Sequence, residues 1–185
     1  MRLNLGCGDV KMEGWVNVDK FSDFAPDVVH DLEQFPWPFD DNAAEEVLLN
    51  HVLEHLGQTT EVFLNVMKEL YRVSGPGGTI RIHVPHPRHD DFITDPTHVR
   101  PILPDTLAMF DREVNQRWRD ENAANTQLAV HTGTDFKMVS ATVTPDDRFK
   151  DQDGKVLISI EELLEKARSE LNVIKEYQIT LLVRK

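Results

Sequence analysis

Three short runs carry residues whose types and spacing suit nucleoside binding. The first is Leu5-Gly6-Cys7-Gly8, directly after the apolar run Arg2–Leu5. Glycines at the carboxyl end of a first strand let a ligand approach the backbone closely, although a Gly-x-Gly turn by itself also serves packing alone. The second is Asp19-Lys20, which ends the run Trp15–Asp19. A carboxylate there accepts hydrogen bonds from both hydroxyls of a ribose; its competing use is as a turn or cap residue. The third is Asp31-Leu32, ending Asp27–Asp31. Asp31 would accept from the exocyclic amine of an adenine and Leu32 would lie against the ring. The competing reading is a helix start in a charged stretch.

The identity of the nucleoside follows from what is missing. A dinucleotide fingerprint needs a third glycine three positions after the second. Lys11 stands there, and Asp9 would repel a pyrophosphate. S-adenosylmethionine has no phosphate and a cationic sulfonium, so an acidic rim suits it better.

A fourth cluster is His86-Pro87-Arg88-His89-Asp90-Asp91 followed by Asp95-Pro96-Thr97-His98-Val99-Arg100. It follows a fifth apolar run, so it belongs at the sheet edge where ligands bind. Three readings compete: solvated turn chemistry, a substrate-binding or general-base role, and a metal site, for which no tight ligand spacing stands out. His86, His89, Asp91 and His98 are the catalytic candidates, with Asp90 or Asp95 placed to hold a tautomer. Cys7 reads as a small residue between glycines rather than a nucleophile. His55 reads as a hydrogen-bonded histidine at a helix start.

The elements that must position these residues are legible as short strands. Arg2–Leu5, Trp15–Asp19, Asp27–Asp31, Glu46–Asn50 and Thr79–Val84 are five candidate strands. Thr59–Val73 predicts a helix, with Val62, Phe63, Val66, Met67, Leu70 and Tyr71 on one stripe and Gly75-Pro76-Gly77-Gly78 stopping it. Such alternation implies a parallel sheet with helices on its faces. Further on, Pro85–Pro104 reads as a loop and Asp105–Asn125 as mainly helical. Phe136–Thr144 is a strand and Pro145–Gly154 an exposed connector. Ser159–Leu171 is a helix opened by a Ser159/Glu162 capping box, with Ile160, Leu163, Leu164, Ala167 and Leu171 as its apolar face, and Tyr177–Val183 is a closing strand. Trp118, Phe92, Phe110 and Met109 are candidate apolar walls for an acceptor.

Composition narrows the class further. The 185 residues fit one domain, with 40% hydrophobic and 28% charged residues. A net charge of -12 without a Lys/Arg stripe argues against a duplex nucleic-acid partner. Cys7 is the single cysteine, which excludes an internal disulfide and zinc-knuckle spacing. The start shows no signal-peptide pattern and no apolar run reaches a membrane span, which predicts a cytoplasmic protein. The oligomeric state and the acceptor are not legible.

The runs GCG, NVD, HDL and LLNHVLEHL, then MKELYRVSGPGG and TIRIHVP, resemble the class I S-adenosylmethionine-dependent methyltransferases. Val52-Leu53-Glu54-His55-Leu56 with Leu70-Tyr71-Arg72-Val73 is the most specific part, and the resemblance covers roughly residues 2–85. It implies a Rossmann-like, doubly wound, mostly parallel sheet of seven strands with an antiparallel last strand. The cofactor would be S-adenosylmethionine, held by Leu5, Gly6, Cys7, Gly8, Asp19, Lys20, Asp31 and Leu32, with Asn50 and His51 near the methyl group. Residues 1–85 would then form the cofactor half and residues 86–185 the acceptor side of a single domain. The enzyme would methylate a small molecule; the alternatives are a non-catalytic binding module or a metal-dependent enzyme using the His/Asp loop. Asn4 stands where the family has an acidic residue, Val10 replaces a third glycine, and Gly8 to Trp15 is too short for a full crossover helix.

Overall fold

The computed structural model describes residues 1–185 as one seven-stranded sheet with helices packed around it. The strands are β1 (Arg2–Leu5), β2 (Val16–Asp19), β3 (Val28–Val29), β4 (Ala44–Asn50), β5 (Ser74–Pro85), β6 (Phe136–Pro145) and β7 (Ile174–Val183). Their order across the sheet is β3-β2-β1-β4-β5-β7-β6. β1 to β5 run parallel, and β7 runs antiparallel between β5 and β6. The strand order changes direction between β1 and β4, which makes a crevice at their carboxyl ends, the place where open α/β sheets bind ligands.

The one long crossover helix is α1 (Thr60–Val73), capped by the Thr59 hydroxyl, which accepts from Val62 N at 3.3 Å. It buries Phe63, Val66, Met67, Leu70 and Val73 against the sheet, as its periodicity requires. The connections from β1 to β2, β2 to β3 and β3 to β4 carry no α-helix. The face of β1 and β2 is instead covered by loop backbone, and two buried asparagines hold it there. Asn4 Nδ2 donates to Val10 O at 2.9 Å and to Asn17 Oδ1 at 3.0 Å. Asn17 in turn accepts from Met12 N at 2.8 Å and donates to Met12 O and Trp15 O. Side-chain amides thus satisfy loop groups that a helix would have satisfied internally. Asn4, at the position where the resemblance leads one to expect an acid, is committed to this network.

On the β3–β4 connection, Trp37 is fully buried. Its Nε1 donates to Leu32 O at 3.0 Å and its backbone N to Glu69 Oε2 on α1 at 2.6 Å. Glu69 is held in turn by Arg72. The contiguous core then runs from Leu3 and Val18 through Leu49, Ile80 and Ile82 to Phe136 and Leu181.

Several sequence expectations change in detail. The third strand shrinks to Val28–Val29, because the Asp27 carboxylate accepts from Asn17 N and Nδ2 at 2.7 and 2.8 Å. The Pro85–Pro104 loop contains a single turn of helix, α2 (Asp90–Ile93). The helix expected over Asp105–Asn125 is broken into α3 (Pro104–Ala108) and α4 (Arg112–Asp120), followed by α5 (Leu128–Thr132). The break lies at Asp111, whose carboxylate caps Glu113 N and Val114 N and so starts a new helix. The helix expected over Ser159–Leu171 is α6 (Ile160–Ala167), and the Ser159 hydroxyl accepts from Glu162 N as the capping motif requires. Of its apolar face only Leu163 is buried, in a small cluster with Val173 and Ile174, while Ile160, Leu164 and Leu171 stay exposed. No helix is long and apolar enough to cross a membrane.

Candidate functional site

A cleft of about 390 Å³ opens at the carboxyl ends of β1, β2 and β4. Gly6 forms its floor. The chain turns there at φ +66°, and a Cβ on Gly6 would lie 2.6 Å from Val52 Cγ2, so both conformation and space require glycine. Asp19 leaves β2 into the cleft with both carboxylate oxygens already oriented. Oδ2 accepts from Gly8 N and Oδ1 from Phe21 N, each at 2.9 Å. Each oxygen keeps a further lone pair for a ligand hydroxyl. Asp31 and Leu32 line the same cleft; Asp31 Oδ1 accepts from Glu33 N at 3.0 Å, which fixes the turn. Glu33 also lines it and ties it across to the segment after β4 by accepting from Gly57 N at 2.7 Å. Asp19, Asp31 and Glu33 give the lining an acidic character, relieved by Lys20.

His51 closes the opposite wall. It sits in the left-handed region at φ +55°, uncommon for a residue with a Cβ, and its N donates to His83 O at 2.9 Å. That kink turns the chain off β4 and brings the imidazole to the cleft. Its Nδ1 lies 3.4 Å from Glu54 and its Nε2 3.1 Å from Glu176. The Glu54 carboxylate raises the His51 imidazole above its ordinary value against the effect of burial, and Glu176 adds to it.

Of the sequence candidates, Gly6, Asp19, Lys20, Asp31, Leu32 and His51 line the cleft. Leu5 and Cys7 are buried beneath it, and Gly8 contributes only its N–H to Asp19. Cys7 N donates to Val18 O at 3.0 Å and its thiol is pushed up by burial, in keeping with a packing residue. Asn50 lies outside the lining and pairs with His83 Nδ1 at 3.0 Å. Phe21, Phe24, His30, Glu33, Val52, His55, Leu56 and Thr97 join the lining without having been singled out for it. Most of them flank the recognised runs; Thr97 comes from a distant loop and carries no local signal.

The His/Asp loop is placed differently from the expectation. None of His86, His89, Asp91 and His98 lines the cleft. His86 is buried against Tyr177, with ring centroids 5.1 Å apart, and its Nδ1 accepts from Arg88 N at 3.1 Å. Burial pushes it down to about 4, with Arg88 and His89 adding to the effect, so it is a neutral packing histidine. His89 Nδ1 caps α2 at Asp91 N and its Nε2 meets Asp146 Oδ2 at 3.0 Å, which tethers the loop to the end of β6. Asp91 is exposed beside Lys175. His98 alone approaches the cleft wall, 4.5 Å from the His55 ring. Phe110 and Met109 belong to the core, and Phe92 stacks on His98.

Residues 9–82, less than half of the chain, match the family described as "Methyltransferase domain". The sheet order and the solved structures it resembles agree with that segment. The chain has the class I methyltransferase fold. A SAM-dependent methyltransferase from Archaeoglobus fulgidus superposes with a TM-score of 0.63 at 22% identity, covering 98% of this chain and 85% of that one. One from Methanosarcina mazei gives 0.57 at 12% identity over 99% and 92%. The 1,6-didemethyltoxoflavin-N1-methyltransferase of Burkholderia thailandensis, solved with 1,6-didemethyltoxoflavin and S-adenosylhomocysteine, gives 0.52 at 12% over 100% and 71%. At these identities the likeness is one of fold. No curated protein matches the sequence. In this chain the connections β1–β2, β2–β3 and β3–β4 beside the cleft are made without an α-helix.

Proposed function

We propose that this chain binds S-adenosylmethionine in the cleft and transfers its methyl group to a small-molecule acceptor, the whole chain acting as one domain. The carrying observation is Asp19, pinned by two backbone N–H groups at the end of β2 and facing the cleft between Gly6 and Asp31. In this reading Asp19 holds the ribose, Asp31 and Leu32 the adenine, and the backbone at Gly6 lies against the amino-acid part. The acidic lining suits a cationic sulfonium and opposes a dinucleotide. The acceptor enters on the His51 and His55 side. The sulfonium is already activated, so the chain's work is to align the acceptor with the methyl carbon and to exclude water. Of the loop candidates only His98 stays near this wall; His86, His89 and Asp91 act in holding the loop. A net charge of -12 supports a small acceptor over duplex nucleic acid.

The test is calorimetric titration with S-adenosylhomocysteine, followed by transfer of labelled methyl from S-adenosylmethionine to a panel of small acceptors. Binding with turnover supports the reading. Binding without turnover on any acceptor favours the non-catalytic module. Absence of binding overturns both.

A further inference from the structure

Glu54 lies in the single 3-10 turn Leu53–His55 after β4, and its side chain is 1% exposed. Neither of its carboxylate oxygens accepts a hydrogen bond within the protein. A buried carboxylate that accepts no hydrogen bond is costly; the His51 imidazole at 3.4 Å is its nearest charge partner, and a metal cation would satisfy the oxygens that His51 leaves bare. Three imidazoles surround it. His51 Nδ1 is 3.4 Å and His98 Nε2 4.0 Å from Oε1, and the ligand atoms of Glu54, His55 and His98 all lie within 4.8 Å of one another.

The loop is folded to make this arrangement. The Glu54 carbonyl accepts from Val99 N at 2.9 Å and Arg100 N at 3.1 Å, which draws His98 over the carboxylate. Both histidines have their other nitrogen occupied. His98 Nδ1 meets Phe92 O at 2.9 Å; a carbonyl only accepts, so Nδ1 carries a proton and Nε2, which also lies 3.7 Å from Asp95 Oδ2, is the nitrogen that would ligate in the neutral ring. The Thr97 hydroxyl donates to Asp95 Oδ1 at 2.7 Å, so its oxygen accepts from His55 Nδ1 at 3.0 Å and His55 Nε2 is likewise left with a lone pair. Tautomers set in this way by an outer carbonyl or carboxylate are the pattern found behind metal-ligating histidines.

We infer that Glu54, His55 and His98 form a site for one first-row divalent cation, with open positions toward the cleft. Two imidazoles and one carboxylate select zinc, iron, cobalt or manganese over magnesium or calcium. His55 and Thr97 line the cleft, so an ion there faces the acceptor side and can bind an acceptor oxygen, lowering its proton affinity. That role rests on the proposed methyl transfer; the binding of the ion does not. His51 completes the surroundings, with Glu176 on its far side.

The test uses Co²⁺ alone with the full chain, followed by its ligand-field absorption and by the melting temperature, with S-adenosylhomocysteine titrated separately. One equivalent should bind and raise the melting temperature. His98→Ala and Glu54→Gln should each weaken Co²⁺ by more than about 10-fold, the scale for a disturbed metal shell. His131→Ala, on an exposed helix end, should not. His98→Ala should leave S-adenosylhomocysteine affinity unchanged, which separates failure of the metal site from failure of the cofactor reading. Should Glu54→Gln fail to fold, His98→Ala decides. Absence of Co²⁺ binding, or equal affinity in His98→Ala, overturns the inference.

Discussion

Gly8 N donates to Asp19 Oδ2 at 2.9 Å, so the glycine loop and the second strand hold a single carboxylate between them. Replacing Asp19 therefore has two effects. In the proposed complex, Asp19→Ala removes two charge-assisted bonds to the ribose, roughly 1.5–3 kcal/mol each, and S-adenosylhomocysteine should bind at least about 100-fold more weakly. Gly8 and Phe21 also lose their acceptor, so the melting temperature should fall as well. Calorimetry with a parallel thermal melt checks both; unchanged affinity in a folded variant contradicts the ribose assignment.

An acidic residue at position 4 should harm this chain. Asn4→Asp places a carboxylate against the Val10 carbonyl and the Asn17 amide oxygen, two acceptors that now receive hydrogens from Asn4 Nδ2. Loss of both bonds with burial of a charge should cost about 2–3 kcal/mol at neutral pH. Denaturant unfolding measures it. A variant as stable as the parent would show that the asparagine network does not hold the loop.

His86 should make the fold acid-sensitive. Its folded value is about 4 against an ordinary value near 6.5, so the unfolded chain binds the extra proton between these limits. The contribution is complete above about pH 6.5 and is lost as pH falls toward about 4, at most about 3 kcal/mol. His86→Asn keeps an acceptor for Arg88 N without a titrating ring. Its stability should fall less than that of the parent between pH 7 and pH 4.5, measured by denaturant midpoints. Parallel pH profiles would refute the assignment.

The sheet was legible because its signals are local. Runs such as Arg2–Leu5 and Thr79–Val84, the 3.6-residue stripe of α1 and the capping serine at Ser159 each act within a few residues, and each lies where its pattern places it. Even the missing crossover helix was visible, as a count of residues between Gly8 and Trp15. The local signals misled where a side chain interrupts a periodic pattern, as the Asp111 cap does between α3 and α4.

The sequence by itself determined where most strands lie, the glycine turn and the carboxylate that ends the second strand, because turns and strand patterns obey nearest-neighbour sterics and hydrogen bonding. Only the tertiary structure decided which histidines meet the cleft. His86 and His89 belong to the same polar loop as His98, yet a bond from His89 to Asp146 pulls one end toward β6, and bonds from Val99 and Arg100 to the Glu54 carbonyl pull the other toward the cleft. These contacts join residues more than forty positions apart, where no periodicity or spacing rule reaches. They also gather Glu54, His55 and His98 into one cluster, which the chain presents only once it is folded.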